Sequence, residues 1–197
     1  MKIKAVAIKN FRGYKDEIKI SFDDLTVFVG KNDIGKSTIL EALDIFFNEG
    51  SGVIKLDKSD LNIHAVKENN EETMISVCFS DLPEHIVIDS TVRTTLIEEY
   101  MLNSDGLLEI VKRYKNGGKA SVFVRAYHPT NPNCKDLLLK KNQELKNIIK
   151  GKNIDCENQK VNALMRKAIW SSCSENLALK TVEIDVSKED AKKFGKS

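Results

Sequence analysis

Eight residues near the amino terminus constrain this chain more than any other part of its sequence. Residues 30–37 read Gly-x-x-x-x-Gly-Lys-Ser, the pattern of a phosphate-binding (Walker A) loop. Glycines at both ends allow a tight bend, and the successive amides, with the N-terminus of the following helix, attract anions. In this pattern Lys36 reaches the β- and γ-phosphates, and the Ser37 hydroxyl binds Mg²⁺. The motif predicts nucleotide binding with Mg²⁺.

The sequence on both sides of the loop is typical of the strand–loop–helix context that this motif requires. Residues 25–29 form a short apolar, β-branched run, which predicts a buried parallel strand. After the loop, apolar residues recur at helical spacing, and Asn48, Gly50 and Gly52 mark the end of the predicted helix. The apolar positions of this helix are Ile39, Leu40, Leu43, Phe46 and Phe47.

The rest of the chain divides into a strand-rich part and a helical part. A turn is predicted at residues 10–14, and Asn116-Gly117-Gly118-Lys119 predicts the turn of a β-hairpin. Strands are predicted over residues 1–9, 18–22, 73–79, 107–114, 120–127 and 181–186. Helices are predicted over residues 94–102, 135–150 and 158–170, with a further helix N-terminus at 187–190.

Composition excludes several classes of protein. The apolar runs are far shorter than a membrane span, and the start of the chain does not read as a signal peptide, so we expect a cytoplasmic protein. The net charge of +2 does not decide for or against nucleic acid. The four cysteines lack a C-x-x-C pair, which favours reduced, structural thiols, and the three scattered histidines make a zinc site improbable.

The opening of the chain resembles the amino-terminal half of ABC-type ATPases of DNA metabolism. The matching residues are Ile8-Lys9-Asn10-Phe11-Arg12-Gly13-Tyr14 and the run from Leu25 through the Walker A loop to Leu43. This superfamily includes RecF, the structural maintenance of chromosomes (SMC) proteins and the OLD (overcoming lysogenization defect) nucleases. Asn32-Asp33-Ile34-Gly35 and the later Asp57-Lys58-Ser59-Asp60 look most like the OLD type. The resemblance covers residues 3–61.

The resemblance implies roles only for the positions that match. Arg12 aligns with an arginine that approaches the nucleotide, with a surface turn arginine as the alternative interpretation. Asn32 lines the loop and Thr38 contacts the α-phosphate. The resemblance gives no role for Asp33, and a cap of the loop or of the helix is the alternative interpretation for its side chain. Lys36 is the candidate catalytic residue and Ser37 the candidate metal ligand. The expected ATP-binding set is Arg12, Gly30, Asn32, Asp33, Ile34, Gly35, Lys36, Ser37 and Thr38.

The resemblance implies that hydrolysis needs a Walker B carboxylate pair, a signature motif and a switch histidine, all in the C-terminal half of an ABC ATPase. A Walker B strand ends in Asp-Glu, but the acids of residues 182–185 alternate with apolar residues, and Glu98-Glu99 reads as a helix surface. Neither a signature motif nor a metal-binding nuclease (Toprim) domain is present. The expectation is therefore an incomplete α/β ATPase domain, with a mixed β-sheet around the Walker A helix. Residues 1–128 form the predicted nucleotide-binding lobe and residues 129–197 an appended helical segment.

The expected partners follow from the resemblance and from charge. ABC-type ATPases act as dimers around two ATP molecules, and residues 133–170 are the candidate dimerisation insertion. Residues 135–167 carry nine basic and four acidic side chains, a surplus that can hold DNA phosphates or can equally belong to an ordinary solvated helix face. DNA is the expected substrate of the intact protein on the basis of the resemblance.

Two alternatives remain open at this point. The first is a different P-loop class, although the chain lacks the Asn-Lys-x-Asp guanine motif of GTPases, and its early strands and hairpin do not suit a simple kinase sheet. The second is a non-catalytic scaffold or dimerisation fragment of such an ATPase. A Lys36 variant distinguishes an ATP-binding module from a scaffold.

Overall fold

The computed structural model describes residues 1–30, 35–49, 52–88 and 92–186. A six-stranded sheet has the strand order β2-β1-β3-β6-β7-β8, and β4 and β5 form a separate two-stranded sheet. The strands are β1 Lys2–Lys9, β2 Ile18–Ser21, β3 Glu72–Ser80, β4 Ile86–Val87, β5 Arg93–Thr94, β6 Leu108–Lys115, β7 Ala120–Pro129 and β8 Leu179–Asp185. The α-helices are α1 Lys36–Asn48, α2 Ile63–Lys67, α3 Asn142–Gly151 and α4 Asn162–Ser172. Short 3₁₀ turns lie at Lys58–Asp60, Leu137–Leu139 and Ser174–Asn176.

The chain divides into two compact units. Unit 1 comprises Met1–Leu82 and Glu109–Phe123, and unit 2 comprises residues 83–108 and those from 124 onward. The sequence-based division of the chain into residues 1–128 and 129–197 stays a prediction.

The centre of unit 1 is the pairing of β1 with two antiparallel neighbours. Val6 lies opposite Ile20 of β2 and opposite Val77 of β3. Both Val6 and Val77 are fully buried, and β3 is buried at every position from 73 to 79. A strand covered on both faces reads as a near-continuous apolar run, which explains why β3 does not show the simple in–out alternation of a half-buried strand.

Helix α1 packs against β1 and β3 of this sheet. Its buried residues are Thr38, Ile39, Ala42, Ile45 and Phe46. Leu40 and Phe47, predicted on the apolar face, are 56% and 50% exposed. The predicted helix is confirmed, but its buried stripe is rotated toward the small Ala42, which allows close approach to the sheet.

The helical part of unit 2 surrounds a second core. Its buried members are Cys134, Leu137, Leu145, Ile149, Met165, Ile169 and Trp170. Trp170 Nε1 donates to the carbonyl oxygen of Cys134 at 3.0 Å. The buried indole therefore keeps a hydrogen-bond partner, as a buried tryptophan requires.

Several sequence predictions are confirmed. The strands at the start of the chain, β3, β8 and the turn at residues 10–14 lie where they were predicted. The hairpin between β6 and β7 turns at Asn116 and Gly117, which have φ of 51° and 68°. Gly118 N donates to Lys115 O at 2.9 Å, the closure of a two-residue turn. The four cysteines are free.

The predicted strand at residues 25–29 is wrong for the described chain. These residues form no strand, and Leu25, Val27 and Val29 are 83%, 69% and 88% exposed. A strand exists only through hydrogen bonds to a neighbour. No neighbouring strand pairs with this run in the described ranges, so its β propensity is not sufficient.

Two predicted helices begin late and one is absent. Residues 94–102 were predicted as a helix, but β5 ends at Thr94 and turns follow, ending in Tyr100 with φ of 51°. Helix α3 begins at Asn142 because Lys140 and Lys141 have extended backbones, and Lys141 N donates to Glu144 Oε2 at 2.7 Å, as in an N-terminal cap. Helix α4 begins at Asn162, after a turn at residues 158–161. The helix N-terminus predicted at 187–190 lies outside the described residues.

Candidate functional site

The N-terminus of α1 has the conformation that a phosphate-binding loop requires. Gly35 precedes the helix with φ of 79°, a left-handed conformation that favours glycine. Glycine has no side chain with which to cap the first amides, and no acidic residue occupies the first helical turn. The amides and the positive end of the helix dipole therefore remain available for an anion. Ser37 is exposed on this end of the helix, whereas Thr38 is buried.

Lys36 connects the two ends of the loop. Its ammonium group donates a hydrogen bond to the carbonyl oxygen of Gly30 at 2.5 Å. The side chain of Lys36, the predicted phosphate ligand, therefore reaches back to Gly30, the first residue of the motif. Asn32, Asp33 and Ile34, the remaining predicted loop residues, lie outside the described residues.

The turn at residues 10–14 is anchored to the rest of unit 1 by a buried asparagine. Asn10 Nδ2 donates to the carbonyl oxygens of Asn70 and Glu72 at 2.9 and 3.1 Å. Its Oδ1 accepts from the Asn62 amide at 3.0 Å. Asn10 has φ of 52° and is fully buried, so the loss of these bonds would leave polar atoms without water. The turn is therefore held firmly beside β3.

Arg12 contacts two carboxylates from separate parts of unit 1. Its Nε donates to Asp60 Oδ1 at 2.8 Å, and its Nη1 contacts the Glu41 carboxylate on α1. The Arg12 amide also donates to the Asp60 carbonyl at 2.6 Å. The side chains of Arg12, Asp60 and Glu41 are 33%, 13% and 24% exposed, so the cluster is partly open to water.

Tyr14 lies directly against Gly35, the residue that precedes α1. A Cβ atom added to Gly35 would stand 2.3 Å from the Tyr14 hydroxyl oxygen and 2.9 Å from its ring carbon Cζ. Two features therefore require glycine at position 35: its positive φ and the close approach of the Tyr14 side chain. The turn that carries Arg12 and Tyr14 thus runs along the first turns of α1, next to the site of the phosphates.

The 3₁₀ turn at Lys58–Asp60 holds the second carboxylate in place. Asp57 Oδ1 accepts from the Ser59 amide at 2.5 Å, and Asp60 Oδ2 accepts from the Asp57 amide at 3.1 Å. The hydrogen bonds from Ser59 lower the pKa of Asp57. The hairpin between β6 and β7 rests on this turn, because a Cβ on Gly117 would come within 2.4 Å of the Asp57 backbone.

The other end of α1 is fixed by a lysine of β6. Lys112 Nζ donates to the Phe46 carbonyl at 2.7 Å and to Glu49 Oε1 at 2.5 Å. The ammonium also lies 4.9 Å from the centroid of the Phe46 ring. A cation that binds the last carbonyls complements the negative end of the helix dipole. Helix α1 is therefore anchored to the sheet at its C-terminal end, and the predicted phosphate-binding residues lie at its opposite end.

The residues present fit a nucleotide with Mg²⁺ better than a protein-held metal. Within the described ranges, no group of three His, Cys, Asp or Glu side chains is placed to hold a metal ion. Mg²⁺ is typically held by few protein ligands together with substrate phosphates and water, and the exposed Ser37 suits that arrangement.

Among the helices that the structure describes, none has the length and apolarity to span a membrane.

Three residues beside the loop escaped prediction as site residues: Tyr14, Glu41 and Asp60. All three lie inside the segments that carry the family resemblance, so their position in those motifs was the available signal. The contact of Glu41 with Arg12 depends on how the turn packs on the helix, which residue spacing does not show.

Comparison with known proteins decides the family. A family model described as the AAA ATPase domain matches residues 1–196. This chain belongs to the AAA ATPase domain family. The family match, together with a six-stranded sheet against which α1 packs, confirms the expectation of an α/β ATPase fold.

Curated relatives of this AAA ATPase domain are much longer than the match. Endonuclease GajA of Bacillus cereus (strain VD045) is 26% identical over 152 residues, which are 76% of this chain and 23% of GajA. The DNA replication and repair protein RecF of Lactococcus lactis subsp. lactis (strain IL1403) is 50% identical over 44 residues, 22% of this chain and 12% of RecF. The chain thus spans less than a quarter of either relative.

Solved structures show a weaker likeness. The match to the SMC head domain from Thermotoga maritima has a TM-score of 0.38 at 18% identity. It covers 64% of this chain and 38% of the SMC chain. A structure from work on the ATP-driven dimerization and DNA-stimulated activation of SMC ATPases has a TM-score of 0.43 at 14% identity. It covers 76% of this chain and 98% of that one.

Proposed function

We propose that this chain binds ATP with Mg²⁺ through its Walker A loop, as the N-terminal portion of an OLD/RecF/SMC-like ATPase. In this proposal hydrolysis needs a C-terminal half that supplies the Walker B carboxylates and the signature motif. The intact protein acts in DNA metabolism or anti-phage defence in the cytoplasm. The similarity to GajA and RecF, and the share of each that the chain spans, support this reading.

The N-terminus of α1 is the observation that carries the proposal. It combines a left-handed Gly35, a first turn without acids, the Lys36 ammonium at the mouth of the loop and an exposed Ser37. Such an end attracts a polyanion through its amides and dipole. Lys36 would exchange the Gly30 carbonyl for phosphate oxygens, and Ser37 would bind Mg²⁺.

The other proposed ligands follow the resemblance. Arg12, Gly30 and Thr38 complete the described part of the set, and Asn32, Asp33 and Ile34 belong to it by sequence alone. Phosphoryl transfer also needs a second carboxylate on the metal and a group that orients the attacking water. Since neither is found in this sequence, we propose that the chain alone binds ATP with negligible turnover.

Titration calorimetry with ATP and Mg²⁺ tests the proposal. Lys36→Ala is expected to weaken binding at least about tenfold, because a charged hydrogen bond to the phosphates is lost. Lys67→Ala, which removes the same charge from an exposed position, is the matched control. Equal binding by both variants would refute the P-loop assignment, and rapid phosphate release by the wild-type chain would refute the need for a missing half.

The same titration separates the alternative functions. A scaffold or dimerisation fragment would not respond to Lys36→Ala and would not bind ATP. A P-loop protein of another class, such as a GTPase, would prefer GTP to ATP in competition. The loop itself contacts only phosphates, so the preference for adenine rests on the family.

A homodimer and DNA are the proposed partners of the intact protein. Lys135, Lys140 and Lys152 line one cavity of about 500 Å³ in the helical part of unit 2. A concave basic surface can bind nucleic-acid phosphates, and such binding weakens steeply with salt. Gel-shift titration at two salt concentrations tests DNA binding, and sedimentation with and without ATP tests the dimer. Salt-insensitive or absent binding would exclude this surface as the DNA contact.

A further inference from the structure

The two carboxylates that contact Arg12 are held in different ways. Asp60 belongs to the rigid 3₁₀ turn described above, and it binds Arg12 through both its side chain and its backbone carbonyl. Asn62, two residues later, donates from Nδ2 to the Arg12 carbonyl at 2.7 Å. Residues 60 and 62 therefore fix both the backbone and the Nε edge of this arginine.

Glu41 approaches the same guanidinium from the other side. It lies in the second turn of α1, and it contacts Nη1 rather than Nε. Its side chain is 24% exposed, against 13% for Asp60. A single contact to a terminal nitrogen can be exchanged without disturbing the Nε bond, because the guanidinium donates from separate nitrogens.

We propose that Asp60 positions Arg12 for the nucleotide, while Glu41 competes with the nucleotide phosphates for the same guanidinium. The inference rests on the proposed ATP binding and deepens it. On binding, the Nη1 edge leaves Glu41 for phosphate oxygens while Nε stays on Asp60. Asp60 and Asn62 are then positioning residues, and Glu41 is a resting-state contact that ATP must displace.

An argument from charge alone predicts the opposite effect of an Asp60 substitution from the one that the proposal predicts. Both are negative groups near a polyphosphate, so the removal of either charge should strengthen ATP binding if charge alone matters. Under the proposal only Glu41 behaves this way. The loss of the Asp60 charge releases Arg12 and weakens binding, because the conformation that binds ATP becomes less populated.

The test is titration calorimetry of the 197-residue chain with ATP and Mg²⁺. Glu41→Gln is expected to tighten binding about threefold, and Asp60→Asn to weaken it about tenfold. Asp81→Asn removes the same charge from an exposed position of unit 1 outside this cluster, and its affinity should match the wild type. Thermal melts set a temperature at which every variant is folded.

A double variant keeps the test independent of folding effects. In the Arg12→Ala background, Asp60→Asn should cause no further loss of affinity, because the group that it positions is gone. Tighter binding by Asp60→Asn, or a full additional loss in the double variant, would overturn the inference while ATP binding stands. Absent binding by the wild type, or wild-type binding by Lys36→Ala, would instead overturn the proposed function.

Discussion

Two arginine–carboxylate clusters in this chain differ in how far they are closed to water. In unit 2, Arg166 donates from Nε and Nη2 to the two oxygens of Glu99 at 2.7 and 2.8 Å, and the side chains are 1% and 2% exposed. In unit 1, Arg12 divides its contacts between two acids and keeps a third of its side chain exposed. The first arginine has one bidentate partner, whereas the second contacts a different carboxylate with each of two nitrogens.

The difference teaches what each cluster can do. A sealed bidentate pair has no access to a ligand, and each charge depends wholly on the other because water cannot replace a lost partner. A partly open cluster loses less when one contact breaks, since solvent compensates. The pair in unit 2 therefore serves folding, and the cluster in unit 1 has the openness that the proposed nucleotide contact requires.

The largest expected effect is the breaking of the sealed pair. Arg166→Ala should lower the free energy of unfolding by about 3–5 kcal/mol, because Glu99 is left buried without its cation. Arg12→Ala should lower it by about 1 kcal/mol. Urea unfolding followed by circular dichroism measures both, and the fluorescence of Trp170, the single tryptophan, reports on unit 2.

A paired replacement is the control for this prediction. Arg166→Met with Glu99→Leu removes both charges and keeps side-chain volume, and should cost less than Arg166→Ala alone. Equal losses for Arg166→Ala and Arg12→Ala would contradict the division into a sealed and an open cluster.

A smaller effect is expected at the support of the open cluster. Gly117→Ala places a methyl group within 2.4 Å of the Asp57 backbone at a position with φ of 68°. Gly106 has a similar φ of 72° with no atom within 4 Å, so Gly106→Ala reports the backbone strain alone. We expect a loss of about 1 kcal/mol for Gly106→Ala and about 2–3 kcal/mol for Gly117→Ala by urea unfolding. Equal losses would mean that the hairpin does not press on the turn that carries Asp60.

Local pattern predicted most of the elements of unit 1. Strand β1, β3, helix α1 and the hairpin turn at Asn116-Gly117 follow from residue spacing and turn chemistry, which act within a few residues. Residues 25–29 carry an equally strong pattern and form no strand, because pairing depends on a neighbour that their own sequence does not specify. Elements whose stability is local were therefore predicted better than elements that need distant partners.

The same distinction applies to the site. Gly35, Lys36 and Ser37 were identified because the motif is contiguous. The contact between Arg12 and Asp60 joins residues 48 positions apart, and that between Glu99 and Arg166 joins residues 67 apart. Glu99 was read as part of a helix surface, whereas the fold buries it. No spacing rule connects such residues, since the packing of the sheet and helices decides which of them meet.

The smallest expected effect concerns His128, a second buried titratable group of unit 2, which also contains the sealed pair. His128 packs edge-on against Tyr100 and Trp170, and its Nδ1 donates to the Tyr100 carbonyl at 2.9 Å. Burial lowers its pKa below the ordinary 6.5, against the opposing effects of this hydrogen bond and of Asp136. The unfolded chain therefore takes up the proton more readily than the folded chain.

Stability should consequently be complete above pH 6.5 and decline as the pH falls toward the lowered pKa of the folded state. Each unit of lowering corresponds to about 1.4 kcal/mol. Urea unfolding followed by Trp170 fluorescence at several pH values measures this slope. His128→Gln should flatten it whatever its effect on absolute stability. An unchanged slope in His128→Gln would show that the core of unit 2 tolerates a charge at this position. The contrast between the sealed pair of unit 2 and the open cluster around Arg12 would then be weaker.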